Sequence, residues 1–154
     1  MSVFDPNAFL DMPVEGTNDT VIVPCPVGEY LAVVEKITVR PWTKKDDPSQ
    51  GGLALDIIWN IEDQSVKEFL DREKVNVKQG IMLDLTESGT LDMGKGRNVS
   101  LGRLREAVGL NNPGQAFSFN QLPGQMAKVK VDHRPDKNDP TIIFAEIKAV
   151  TKAS

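Results

Sequence analysis

The order of its elements predicts a mainly β protein. Three strand-like segments come first, one short amphipathic helix follows, and two more strand-like segments close the chain. In a single domain that order matches a five-stranded OB-fold-like barrel, with its one helix between strands three and four. Clean alternation of apolar and polar residues in strands two and four, and turn residues between elements, support the same reading. Such a barrel binds oligonucleotides or oligosaccharides on its strand 2–3 face, between the loops joining strands 1–2 and 4–5.

Taken in order, residues 1–26 form an irregular N-terminal arm, broken by Pro6, Pro13, Pro24 and Pro26, and residues 27–151 form the OB-fold-like domain. Phe4, Phe9 and Leu10 are expected to dock on the barrel, with docking on a partner as the alternative. Strand one runs from about Tyr30 to Arg40. It places Leu31, Val33, Ile37 and Val39 on one face and Lys36, Thr38 and Arg40 on the other, and Glu35 on the apolar side marks a bulge or strand end. Strand two alternates Leu53, Leu55, Ile57, Trp59 and Ile61 against Ala54, Asp56, Ile58 and Asn60, so Trp59 belongs to the core. A helical turn through Val66, Phe69 and Leu70 precedes strand three, about Val75 to Thr86, with a kink expected at Gln79-Gly80. Asn98 or Ser100 caps a helix over about Val99 to Val108, which buries Leu101, Leu104 and Val108 and stops at Gly109. Strand four follows Leu122-Pro123-Gly124 with Ala127, Val129 and Val131 inward. His133 to Pro140 is a polar turn, and strand five runs from Thr141 to about Val150.

With 154 residues, 40% of them hydrophobic, the chain can bury a core without a metal or disulfide. No apolar run approaches a membrane span, and no leader is expected at Met1-Ser2-Val3-Phe4. One cysteine, Cys25, and one histidine leave no internal disulfide and none of the usual zinc sites, which fits a reducing compartment. The net charge of −4 argues against a general polyanion binder, but the distribution is uneven. Lys36, Arg40, Lys44 and Lys45 cluster in one stretch, and Lys128, Lys130, Arg134 and Lys137 in another.

The loop from Arg40 to Gly52 holds Trp42 beside Lys44 and Lys45. Aromatic rings stack bases at about 1–3 kcal/mol each while cations track the backbone, so this loop fits single-strand binding. Rim packing of the Trp is the competing reading. Lys36, Arg40, Lys128 and Lys130 on the outward sheet face form a candidate phosphate track, and Arg134 in the turn from His133 to Pro140 is a weaker candidate, since the charges of that turn nearly cancel. Strand lysines also serve to prevent edge pairing. Gly94-Lys95-Gly96-Arg97-Asn98 lacks the spacing of a nucleotide loop. Nothing fixes the geometry of Asp84, Glu87 and Asp92 as a metal or acid–base cluster. No nucleophile–base pair is evident either, so the chain reads as a non-enzyme without cofactor or metal.

The run Pro26-Val27-Gly28-Glu29-Tyr30, the segment Leu55 to Asp63, Leu91-Asp92-Met93-Gly94-Lys95-Gly96-Arg97-Asn98, Leu101-Gly102-Arg103-Leu104-Arg105-Glu106-Ala107 and Leu122-Pro123-Gly124 together resemble a bacteriophage family. Its members are small proteins encoded among replication and recombination genes, and related members are taken to be OB-fold single-stranded DNA-binding proteins. The resemblance covers about residues 26 to 150. It implies binding of single-stranded DNA with little sequence preference, in the cytoplasm of the infected host, alongside phage replication or recombination proteins and as a possible homo-oligomer. Many single-stranded DNA-binding proteins end in an acidic tail, whereas this chain ends Lys152-Ala153-Ser154. The competing expectations are a virion component, such as a capsid-decorating or tail-associated barrel, and an adaptor that binds a replication protein through its arm.

Overall fold

The computed structural model describes residues 5–153. It is mainly β: five antiparallel strands, β1 (Gly28–Thr43), β2 (Gly51–Ile61), β3 (Asn76–Met82), β4 (Met126–Pro135) and β5 (Ile143–Thr151), in the order β3-β2-β1-β4-β5. Among the described residues, three α-helices accompany them, α1 (Pro6–Leu10), α2 (Gln64–Leu70) and α3 (Val99–Ala107), with one 3₁₀ turn at Phe119–Gln121. The helical turn expected before β3 is α2, capped by the Asp63 carboxylate on the Val66 N–H at 3.0 Å. The helix expected between β3 and β4 is α3, ended by Gly109 at φ +75°, a conformation that suits glycine. Among the described residues, no helix is long and apolar enough to cross a membrane.

As a hydrogen-bonded sheet the structure is open. The edge strands β3 and β5 approach within 8 Å between Cα atoms but share no ladder, so hydrogen bonding does not complete the expected closure.

One face of the sheet carries the core. Leu55, Ile57, Trp59 and Ile61 from β2 and Ala127, Val129 and Val131 from β4 are fully buried there, as their alternation requires. Leu101, Leu104 and Ala107 of α3 close over them, together with Leu122. The Trp59 indole N–H, which needs a partner inside a core, donates to Gln79 Oε1 at 2.8 Å.

β1 departs from its expected facing. Ala32 and Val34 are buried, while Leu31 is 38% exposed and Val33 half-buried. The pairing shifts between Val34 and Lys36, which makes Glu35 the extra residue of a bulge, ion-paired with Lys74. One inserted residue inverts a period-two pattern. Leu31 and Val33 therefore share the outer face with Lys36, Thr38 and Arg40, and Ile37 packs inward. The kink expected at Gly80 is absent: the β2–β3 ladder runs unbroken, with Gly80 opposite Asp56.

Two local expectations also change. Asn98 occupies the N-cap position of α3 but at φ 52° and without capping it. Its amide instead binds the Asp84 N–H and carbonyl at 2.7 and 2.9 Å and the Asp92 carbonyl at 3.0 Å. The arm does not dock through Phe9 and Leu10, which are 71% and 80% exposed; Phe4 lies outside the described residues. Only its root is fixed. Cys25 is buried, its carbonyl accepts from His133 Nε2 at 2.7 Å, and Tyr30 Oη donates to the Pro26 carbonyl at 2.8 Å.

Candidate nucleic-acid interface

The outer sheet face is built by the residues that alternation turns away from the core. From β1 come Leu31, Val33, Lys36, Thr38, Arg40 and Trp42, and from β4 come Met126, Lys128, Lys130, Asp132 and Arg134. The ladders set them side by side, with Lys128 opposite Leu31, Lys130 opposite Glu29 and Lys36 opposite Ile58. The cations expected on this face thus gather on the β1–β4 half. β2 contributes Ala54, Asp56, Ile58 and Asn60, with no cation, and β3 contributes Lys78, which the sequence reading missed. Lys78 was legible as the outward partner of Val77 in an alternating strand.

The candidate cations differ in what they already hold. Arg40 Nε lies 2.9 Å from Asp56 Oδ2, and Lys78 Nζ lies 3.7 Å from the same oxygen. Asp56 is 9% exposed, and the Arg40 hydrogen bond holds its carboxyl below the usual aspartate value. Arg134 Nε lies 3.1 Å from Glu146 Oε2, with its guanidinium carbon 5.7 Å from the Phe144 ring centre. Lys36, Lys44, Lys45, Lys128 and Lys130 have no ion pair among the described residues and are exposed.

Trp42 is not in a loop. β1 continues to Thr43, so Trp42 sits in the ladder opposite Gly52, half-buried. The space of a missing Cβ at Gly52 lies 3.3–3.4 Å from the indole atoms Nε1, Cε2 and Cζ2, so the ring covers that glycine. Any side chain at neighbouring Gly51 would strike the Trp42 carbonyl. Adjacent glycines therefore shape the hairpin end around the ring. Its N–H is shielded and has no hydrogen-bond partner. Lys44 and Lys45 open the turn that follows, closed by the Lys44 N–H on the Gln50 carbonyl at 2.9 Å.

Arg134 also lies in a strand and not in the polar turn, opposite Phe144. The Gly28 end of β1 pairs with Val131 and its Thr43 end with Gly51, so Arg134 and Trp42 mark opposite ends of the ladder, with Lys130, Lys128 and Lys36 between. The Gly94–Asn98 turn is satisfied from within, since Asp92 Oδ1 accepts from the Gly94 N–H at 2.9 Å and Asp92 faces Arg97. Asp84 is engaged by Asn98: its Oδ2 accepts the Asn98 N–H at 2.8 Å. No group of three or more His, Cys, Asp or Glu among the described residues is arranged to hold a metal. Burial pushes the Cys25 thiol up to about 11, with Asp63 adding to the shift, so it remains a thiol near neutral pH.

No protein-family model and no curated protein sequence matches the chain.

Proposed function

We propose that the protein is a non-catalytic single-stranded DNA-binding protein of phage replication or recombination, acting in the cytoplasm of the infected host. In this reading the strand order β3-β2-β1-β4-β5 is that of an OB barrel whose β3–β5 seam is not hydrogen-bonded. The observation that carries the reading is the line of unpaired Lys130, Lys128 and Lys36 along the middle strands, ending at Trp42 with Lys44 and Lys45 beyond it. Lysines along the line meet phosphates, Trp42 offers a π-surface at one end, and Arg134 with Phe144 a second cation–aromatic pair at the other. Neither kind of contact reads base edges, so little sequence preference follows.

Fluorescence anisotropy with a labelled single strand, a duplex control and a salt series tests this. About four to six phosphate contacts give a slope of log affinity against log salt of roughly −3 to −4, from about −0.7 per contact. Absence of binding overturns the function, and binding with a flat salt response overturns the lysine track.

A further inference from the structure

The outer face is apolar as well as cationic. Leu31, Met82 and Met126 are 38%, 56% and 45% exposed there, among Lys36, Lys78, Lys128 and Lys130. Such a surface complements a ligand that is anionic and apolar at once. The arm has that composition. Residues 1–26 contain Asp5, Asp11, Glu15 and Asp19 and no basic residue, and the first cation of the chain is Lys36. Phe9, Leu10, Met12 and Val14 are interleaved with these acids and each is at least 60% exposed, and no residue of α1 is buried. Among the described residues, Phe9, Leu10, Met12 and Val14 are thus apolar without a cover beside acids, and Leu31, Met82 and Met126 are apolar without a cover beside cations.

The root of the arm runs along the seam, where Val21, Ile22 and Val23 line a groove of about 450 Å³ with Val75 and Val77 beside β3 and Ile143 and Phe144 on β5. The middle of the cationic face is β1, two strands from either edge. In its own copy the arm leaves both surfaces open, with Phe9, Leu10, Leu31 and Met126 all exposed, and the face of a second copy is equally open to it. We propose that the acidic arm of one copy lies across the outer sheet face of a second copy, with Asp5, Asp11 and Glu15 meeting Lys36, Lys128 and Lys130, and Phe9 and Leu10 covering Leu31 and Met126. The exchange is reciprocal and closes a two-fold dimer. A single strand bound to the same lysines would compete with the arm, a consequence that rests on the function proposed above, whereas the dimer does not.

Sedimentation equilibrium of the full chain without nucleic acid tests the dimer. The mass of two chains is expected, falling to one as salt rises, because exposed charges are screened. An arm variant (Asp5→Lys, Asp11→Lys, Glu15→Lys) and a face variant (Lys36→Glu, Lys128→Glu, Lys130→Glu) should each run as single chains, with melting by circular dichroism confirming that both fold. Mixed together, the two variants should pair, since each then supplies the charge that the other's partner surface needs. Docking of the arm on its own face would give single chains throughout and overturn the proposal. A dimer that survives both reversals, folded variants that fail to pair on mixing, or a dimer indifferent to salt would also overturn it.

Discussion

Trp59 and Trp42 belong to the same hairpin and lie on opposite faces of it. Trp59 is fully buried on β2, its N–H satisfied by Gln79. Trp42 is half-buried on β1, laid over Gly52, its N–H without a partner. The inner face is settled by burial: each residue has one place, and every core tryptophan N–H costs free energy unless bonded. The outer face has open capacity, in Lys36, Lys128 and Lys130 without ion pairs among the described residues, a partly exposed ring and exposed Leu31 and Met126. The difference separates the face that carries stability from the face on which the proposed recognition rests.

The largest effect should come from confusing the faces. Ala32 is wholly buried and Leu31 beside it is 38% exposed. Ala32→Asp places an uncompensated charge in the core and should cost about 3 kcal/mol or more. Leu31→Asp should cost under about 1 kcal/mol. Urea denaturation measures both, and equal costs would mean that the bulge at Glu35 does not set the facing of β1. Next, Trp59→Ala should cost about 3–5 kcal/mol of stability. Trp42→Ala should cost about 1–2 kcal/mol of stability from partial burial, and a further 1–3 kcal/mol, roughly, in single-strand affinity. A folded Trp42→Ala protein with unchanged affinity would confine that ring to the rim.

These two residues also show what was legible beforehand. β2 and β4 alternate without interruption, so Trp59, Leu55 and Val129 could be placed inside from period alone. β1 could not, because an inserted Glu35 among apolar and polar neighbours leaves no mark that fixes which half of the strand keeps the original parity. Trp42 read as a loop residue because Pro41, Lys44 and Lys45 look like loop chemistry. Its place in the ladder comes from pairing with Gly52, and of Thr43 with Gly51, a tertiary fact. The partners of the cations were hidden for the same reason: nothing local in sequence joins Arg40 to Asp56 or Arg134 to Glu146. The arm's Phe9 and Leu10 read as core-seeking because they are apolar, which sequence cannot distinguish from apolar and waiting for another surface.

Asp56 belongs to the outer face yet is buried beneath the cations it neutralises, Arg40 and Lys78. Asp56→Asn should release Arg40 and Lys78 and steepen the salt dependence of single-strand binding by up to about 1.4, two contacts at about 0.7 each. The same change should alter the acid limb of stability. The folded carboxyl lies below its ordinary value of 3.8, so its contribution is present above that value and is lost as pH falls through the lower folded one. Asp56→Asn should flatten that limb, measured by melting temperature against pH. An unchanged limb together with an unchanged salt slope would mean that the carboxylate does not restrain these cations.

The smallest effect should separate cations held by the sheet from cations on the turn. Lys36 and Lys128 rise from paired strands beside Ile58 and Leu31, so the ladder fixes their bases and neighbouring apolar groups limit their hydration. Lys44 and Lys45 stand on an exposed turn, where each must lose side-chain freedom to hold a phosphate and where salt screens charge within about 8 Å at physiological strength. Replacing Lys44 and Lys45 together by Ala should therefore weaken single-strand binding by under about 1 kcal/mol at physiological salt, in the range of exposed ion pairs, and more at low salt. Lys36→Ala with Lys128→Ala should weaken it more at every salt concentration, without loss of stability. Anisotropy titrations of the two double variants, run side by side, decide the matter. If the turn pair outweighs the sheet pair, the strand is held at the hairpin end, and the line from Lys130 to Lys36 is a solvated face that takes no part in binding.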